Sequence, residues 1–475
     1  MLGSSLVRVT VAMVLLLTVL CTPGLPALRP NILLLVADDH SAAFVGCYGN
    51  PVIRTPHLDQ LAREGMRLER AYVTSPQCIQ SRASLMTGRS PVRIGMMRFG
   101  APLPRNIVTF PELLRAAGYY TGLVGRPYHL DGAMEGQRPE ETRVVFDRYH
   151  LRTFARRVDY IAFGGPTRVL QRIAAFFEQW PREKPFFLQV GLYDPHRPFT
   201  PNATLHPHDP TQLRLPPFFP NTAALRADLA QYYDEVALLD GDVAHILQML
   251  KARGVAGETL VVFIGDNGGA VLRGKGTLYE LGIRVPLLIR WPDIVQPGTS
   301  TSALISGEDL APTFLDAAGV AVSRQMSGRS FFRLLRGEAF AARSYVFAAR
   351  GAHGLGLPGS TDAFDLSRGV VSRTHKLIYN ALWQLPYTPV DFASEAFWQE
   401  IQAQHQAGTL APALSQLYFP PTRPLFELYD LRTDPYEMRN LAGTPEAAAK
   451  EHTLKAALQQ WMILNWDHLP LPVPP

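Results

Sequence analysis

Cys78 and Arg82 stand one helical turn apart in Ser75-Pro76-Gln77-Cys78-Ile79-Gln80-Ser81-Arg82-Ala83-Ser84-Leu85-Met86-Thr87-Gly88. Proline before the cysteine and glycine after the apolar run predict a loop that enters a helix near Cys78 and a helix that stops at Gly88. On that helix residues 78 and 82 share a face, so the guanidinium reaches whatever group residue 78 carries. The first turn also offers unpaired N–H groups and the positive end of the helix dipole, both of which favour negative charge. A nucleophile and an anion can be held there together. A buried structural cysteine beside a solvated arginine would show the same spacing, so partners must come from elsewhere.

Two acidic pairs are candidates. Asp38-Asp39 and Asp266-Asn267 each follow an apolar run directly. Three carboxylates and an amide oxygen are hard ligands that suit Ca²⁺ better than zinc. Asp and Asn-Gly are also common turn formers at strand ends, so either pair alone is better read as turn chemistry. His196 in Asp194-Pro195-His196, Lys275 in Arg273-Gly274-Lys275-Gly276-Thr277, and Arg126 and His129 in Gly125-Arg126-Pro127-Tyr128-His129 lie in segments of the same kind. A lysine ammonium suits stabilisation of an oxygen that gains charge, whereas a solvated loop lysine needs no such role.

The elements that must position these residues read as strands alternating with helices. Pro30–Val36, Tyr119–Val124, Pro185–Leu192, Thr259–Ile264 and Pro286–Arg290 are apolar strands. Continuous apolar runs of this length predict parallel strands buried on both faces. Thr55-Pro56 starts a helix with Thr as its cap, Phe110–Ala117 is a helix ended by Gly118, Leu225–Leu250 has helical periodicity, and Glu308–Ala318 is a helix capped by Gly319. The alternation argues for a mostly parallel sheet covered by helices, an α/β fold. In open parallel sheets, sites assemble at the carboxyl ends of the strands. Beyond about residue 340 the pattern changes to short strands at Tyr345–Ala348, His375–Asn380 and Phe426–Leu431, then a helix over Pro445–Trp461. The expected organisation is residues 1–27, a catalytic domain at 28–340, and a smaller C-terminal subdomain with an antiparallel sheet at 341–475.

Cys-x-x-Ser-Arg-Ala-Ser-Leu-Met-Thr-Gly, beginning at Cys78, resembles the signature of the formylglycine-dependent sulfatases. Gln80 stands where that family usually has proline. The likeness runs from Arg29-Pro30-Asn31 to Glu427-Leu428-Tyr429-Asp430-Leu431 and Asp434-Pro435. Within the family the chain is most similar to the heparan N-sulfatase (N-sulfoglucosamine sulfohydrolase) branch, through Asp194-Pro195-His196-Arg197, Leu377-Ile378-Tyr379-Asn380, the Trp383–Phe397 segment and the closing helix.

The resemblance implies an alkaline-phosphatase-like fold and a sulfate ester or sulfamate hydrolase acting on a sulfated sugar. Cys78 would be oxidised by a maturase to formylglycine, whose hydrate attacks sulfur. One Ca²⁺ would be held by Asp38, Asp39, Asp266 and Asn267 beside residue 78. It further implies that Arg82 holds the hydrate and that Lys275, His196 and Arg126 neutralise charge. His196 or His129 would protonate the leaving group. Arg126 replaces the family's lysine, with one extra residue before the histidine. Arg350 and His353 are candidate substrate contacts, in a segment that also reads as a plain glycine-rich loop. A phosphate or phosphonate ester hydrolase of the same superfamily is an alternative. So is a sulfated-glycan-binding protein in which Gln80 blocks maturation.

Composition fits a globular protein. The 475 residues are 47% hydrophobic and 18% charged, sufficient for two domains and a large core. Residues 1–27 read as an export signal: Arg8 is the one charge, Val9–Leu20 the apolar core, and Leu25-Pro26-Ala27 the small-residue end. The apolar core is shorter than the ~20 residues a stable membrane span needs. A periplasmic or secreted protein is expected, lysosomal if the source is an animal. The net charge of +5 suits an anionic substrate, and no Lys/Arg-rich run argues for nucleic acid. Of the three cysteines, Cys47 and Cys78 remain after the signal; a disulfide between them would preclude formylglycine.

Overall fold

A computed structural model describes residues 29–131, 140–151, 153–165, 168–353 and 360–471. The expected export signal, and the last residues of the proline-rich tail, lie outside them. Among the described residues no helix is long and apolar enough to cross a membrane.

The run that opens this part of the chain forms the strand Asn31–Ala37, buried throughout. Its side chains alternate between two cores: Ile32, Leu34 and Val36 enter one, while Leu33, Leu35 and Ala37 enter the other. Thr259–Gly265 does the same, with Leu260, Val262 and Ile264 on one face and Val261 and Phe263 on the other. A strand apolar at every position is stable only between two such layers, each buried side chain contributing about 1.5–3 kcal/mol.

The main sheet has eight strands in the order Tyr160–Phe163, Tyr120–Gly125, Phe186–Gly191, Asn31–Ala37, Thr259–Gly265, Leu287–Arg290, Met66–Leu68, Thr299–Thr301. The first five are parallel to one another. Leu287–Arg290 runs antiparallel to Thr259–Gly265, and Met66–Leu68 antiparallel to it in turn. One face is covered by the helices Ala223–Ala252 and Val169–Gln179, through Leu239, Val243, Ile246, Ile173 and Phe176. The other is covered by Cys78–Thr87, Phe110–Ala116 and Leu310–Ala317, through Ile79, Met86, Leu114, Phe314 and Leu315. Thr55 precedes the helix Pro56–Arg63 as expected, yet its hydroxyl does not cap it; it bonds Asp59 at 3.1 Å and accepts from the Gly46 N–H at 2.8 Å.

A second, antiparallel sheet orders Val346–Ala352, Phe364–Val371, His375–Asn380 and Phe426–Asp430. The helix Ala448–Leu464 packs Leu454, Leu458 and Met462 on its Val370, Leu377 and Leu428 face. Between the third and fourth strands the chain makes an excursion containing the helices Ala396–Gln406 and Pro412–Tyr418. Phe392, Trp398 and Tyr418 of this excursion pack with Leu229 and Tyr232 of the long helix, bringing C-terminal residues back over the main sheet.

Candidate active site

Four adjacent parallel strands end on one edge of the main sheet and deliver the candidate residues there. Asn31–Ala37 leads into Asp38 and Asp39, Thr259–Gly265 into Asp266 and Asn267, Tyr120–Gly125 into Arg126 and His129, and Phe186–Gly191 into the His196 loop. Parallel neighbours share a direction, so their outgoing loops must meet.

Against this edge lies the helix Cys78–Thr87. Gln77 is extended, Cys78 is the first helical residue, and Gly88 ends the helix in the left-handed region at φ 65°. Every residue of the helix is buried, so no polar face distinguishes it. The Cys78 Sγ lies 3.3 Å from Asp38 Oδ1 and 3.9 Å from Asp39 Oδ1. Cys47 and Cys78 are both free thiols, so the disulfide alternative is not formed. Burial, and next the Asp38 carboxylate, push the Cys78 thiol well above its ordinary pKa. A thiol kept protonated in this way is a poor nucleophile as it stands. The Gln80 amide donates to the Ala352 carbonyl at 3.1 Å, and Gln77 Oε1 accepts from the Gly351 N–H at 3.3 Å, fastening the helix to the C-terminal sheet.

Three cations meet the three carboxylates. Arg82 Nε donates to Asp266 at 2.7 Å and its Nη2 to Asp38 at 3.2 Å, bridging the two strand ends. Arg126 donates to Asp38 and lies over the Tyr193 ring at 4.9 Å. The buried Lys275 ammonium donates to Asp39 at 2.9 Å and pairs with Asp391 at 2.6 Å. Burial alone would raise Asp38, but Arg126 and Arg82 hold it well below the usual carboxylate range. Burial pushes Asp39 up to about 6 against the pull of Lys275, with Asp38 adding to the rise, and Asp266 likewise to about 6. Burial would discharge Lys275, which Asp39 and Asp391 keep charged.

The donor set fits a hard cation. Asn267 Nδ2 donates to Asp39 and to the Gly268 carbonyl, each at 2.8 Å, and its buried Oδ1 has no hydrogen-bond partner among the described residues. Ligand atoms from Asp38, Asp39, Cys78 and His196 all lie within 4.8 Å of one another. Mutually repelling buried carboxylates with an orphaned amide oxygen beside them are what a divalent cation satisfies.

His196 Nε2 lies 3.8 Å from Asp39 and 3.8 Å from Asp391, and its side chain is 23% exposed. Burial and Lys275 push it down to about 4. His129 is fully enclosed and is pushed well below its ordinary value by burial, then by Arg126 and Arg82. His353 reaches the same cluster, its Nε2 being 3.2 Å from Asp391.

Arg350 does not reach it. Its buried guanidinium bonds the carbonyls of Gly276 and Thr361, so this candidate substrate contact holds the Lys275 loop against the C-terminal sheet instead. His40, the residue after the Asp38-Asp39 pair, bonds the Phe44 carbonyl at 3.0 Å, and burial lowers it to about 4.

The residue that sequence reasoning missed is Asp391. It sits in the excursion before the helix Ala396–Gln406, at φ 66°, between the buried anchors Val390 and Phe392. A single Asp between two apolar loop residues carries no spacing signal, and only the packing of those anchors aims it at Lys275.

Residues 30–320 match the sulfatase family model, and residues 271–378 match that of the C-terminal region of N-sulphoglucosamine sulphohydrolase. The human N-sulphoglucosamine sulphohydrolase is 31% identical over 94% of this chain and 91% of its own length. Among solved structures, a protein in complex with its substrate D-glucosamine-2-N,6-O-disulfate aligns with TM-score 0.67 at 21% identity, covering 93% of this chain and 99% of that one. The phosphonate monoester hydrolase of Agrobacterium radiobacter aligns with TM-score 0.66 at 18% identity, covering 92% of this chain and 96% of that one, a likeness of fold. With this edge-of-sheet site in place, the family and relative matches show that the chain belongs to the sulfatase family, hydrolases of sulfate esters and sulfamates.

Proposed function

We propose that the protein removes sulfate from a sulfated sugar, with heparan-type N-sulfoglucosamine in its substrate range, using formylglycine at position 78 and one Ca²⁺. The observation that carries this reading is the Cys78 thiol at the first turn of its helix, 3.3 Å from Asp38 and enclosed by strand-end carboxylates. Formylglycine supplies a hydrated aldehyde, an oxygen nucleophile for sulfur that the enclosed thiol does not provide. Ca²⁺, held by Asp38, Asp39, Asp266 and Asn267, supplies positive charge for the sulfate oxygens.

The chain's own residues do the rest. Arg82 fixes Asp38 and Asp266 in register and faces residue 78 from one turn along the helix. Lys275 and Arg126 line the sulfate side and stabilise charge that develops on its oxygens. His196, more exposed than His129, stands at the mouth, where the leaving group departs. Its Nε2 is neutral in the free enzyme, and the bound anion raises its proton affinity so that it can protonate the leaving atom. In this reading residues 28–340 form the catalytic domain, and residues 341–475 a subdomain that closes one side of the mouth. A formylglycine-generating maturase is the required partner, and export through residues 1–27 is the route to a periplasmic, secreted or lysosomal location.

The test is sulfate release from a panel of sulfated mono- and disaccharides and their phosphate counterparts, with Ca²⁺ and then with chelator, after co-expression with a maturase. Chelator-sensitive release of sulfate is expected. Faster turnover of the phosphate counterparts would support a phosphoesterase, and tight glycan binding without turnover would support a non-catalytic binding protein.

A further inference from the structure

Asp391 is out of place in a site built for an anion. Its carboxylate lies 2.6 Å from Lys275 Nζ, 3.2 Å from His353 Nε2 and 3.8 Å from His196 Nε2. Asp38, Asp39 and Lys275 are enclosed, whereas the Asp391 side chain is 27% exposed, which puts it with His196 on the open side of Lys275. With His196 as the group that protonates the leaving atom, a carboxylate 3.8 Å from its Nε2 stands beside that atom. The position is built rather than incidental. Val390 and Phe392 are buried on either side, Asp391 holds a left-handed backbone conformation, and His353 fixes one carboxylate oxygen. His353 is itself packed on the Phe99 ring at 4.9 Å.

A carboxylate at the leaving atom discriminates by chemistry. In a sulfate ester the bridging oxygen has only lone pairs and would face the lone pairs of Asp391. In a sulfamate the bridging nitrogen carries a hydrogen, which donates to the carboxylate in a charge-assisted hydrogen bond. As the hydrate oxygen of residue 78 bonds to sulfur and the S–N bond breaks, the electron pair of that bond stays on nitrogen, which takes the proton carried by His196 Nε2 and leaves as the amine. The amine then takes a second proton from water and becomes an ammonium that pairs with the same carboxylate.

Resting on the sulfatase reading above, we infer that Asp391 contacts the leaving atom of the substrate and selects N-sulfated amines over O-sulfate esters.

The test uses two substrates that differ at that atom alone, N-(4-nitrophenyl)sulfamate and 4-nitrophenyl sulfate, assayed with the matured wild-type protein and with Asp391→Asn. The ratio of the two kcat/KM values in one preparation cancels the folded and matured fractions, so a poorly folding variant still reports. The expected result is a fall of about ten- to a hundredfold in the sulfamate-to-ester ratio, with Asp391→Glu restoring part of it.

A readout free of turnover comes from protein kept with its thiol at position 78. Calorimetry there is expected to show the sulfamate bound more tightly than the ester by wild type, and no such difference in Asp391→Asn. An unchanged ratio in Asp391→Asn, or equal binding by the wild-type thiol form, overturns the inference. A wild type that cleaves the ester and not the sulfamate overturns it while leaving the sulfatase reading intact. A wild type that cleaves neither removes both.

Discussion

Gly276→Ala is the substitution through which the join between the Lys275 loop and the C-terminal excursion is best tested. Gly276 follows Lys275 and holds φ at 79°, a region in which a residue with a Cβ is strained by about 1–2 kcal/mol. A Cβ there would stand 2.4 Å from Val390 Cγ2, 3.1 Å from Val390 Cβ and 2.9 Å from Arg350 Nη1. Overpacking of this kind costs about 1–3 kcal/mol. Together the two effects predict a loss of about 2–5 kcal/mol.

The same methyl group would also push the Val390–Asp391 loop away from Lys275. Gly276 further donates its N–H to the Pro76 carbonyl at 2.9 Å, so the approach to Cys78 shifts as well. Urea denaturation of Gly276→Ala, Val390→Ala and the double variant measures this directly, with sulfate release assayed on each. Val390→Ala removes the closest contact, so the double variant should be more stable than the sum of the singles by about 1 kcal/mol or more. A Gly276→Ala protein within about 0.5 kcal/mol of wild type, as for an ordinary surface change, would refute the reasoning.

Other perturbations follow from the same geometry. Gln80→Pro removes the bond to the Ala352 carbonyl, but proline fits the first turn of a helix, where the N–H has no intrahelical acceptor. The expected loss is about 1 kcal/mol by denaturation, with a larger aldehyde fraction at position 78 on maturase co-expression; a loss above about 3 kcal/mol would contradict the account of this turn. Asp194 shares a hydrogen bond with Glu235, and burial followed by the Glu235 charge raises it from 3.8 to about 8. Its folded value lies above its unfolded one, so its contribution is full below about pH 4 and lost as pH rises through about 8. Asp194→Asn, which keeps a donor for Glu235, should flatten the decline in unfolding free energy across that window; equal slopes for both proteins would rule this out. Added Ca²⁺ should raise the melting temperature of wild type, by the equivalent of about 2.7 kcal/mol at a hundredfold excess over Kd, and leave an Asp266→Ala, Asn267→Ala double variant unmoved.

The parts of the molecule legible from its residues are those in which one-dimensional pattern and burial coincide. Asn31–Ala37 and Thr259–Gly265 are continuous apolar runs because two cores flank them, and the acidic residues that end each run could therefore be placed at a sheet edge. The Cys78–Thr87 helix was legible from Pro76 and Gly88 despite being buried all round. The direction of Leu287–Arg290 was not, since an apolar strand looks the same whichever way it runs. Phe364–Val371 escaped notice because it buries Ser367 and Arg368, the latter paired with Asp467 at 2.5 Å, so polar residues stand where alternation would show apolar ones.

Neither reading of the Arg350 segment, a substrate contact or a plain glycine-rich loop, shows where its guanidinium goes. Here Gly276 and Thr361, distant in sequence, present the carbonyls that bind it. Asp391 depends on the same long-range packing, through Val390 and Phe392.

The central claim is that activity belongs to the chains whose Cys78 has become an aldehyde. Its most direct test is one measurement across preparations made with graded amounts of maturase: the mass-resolved fraction of the residue-78 peptide carrying aldehyde, plotted against specific sulfate release. A straight line through the origin is expected. Sulfate release undiminished in a preparation whose residue 78 is entirely thiol would contradict it.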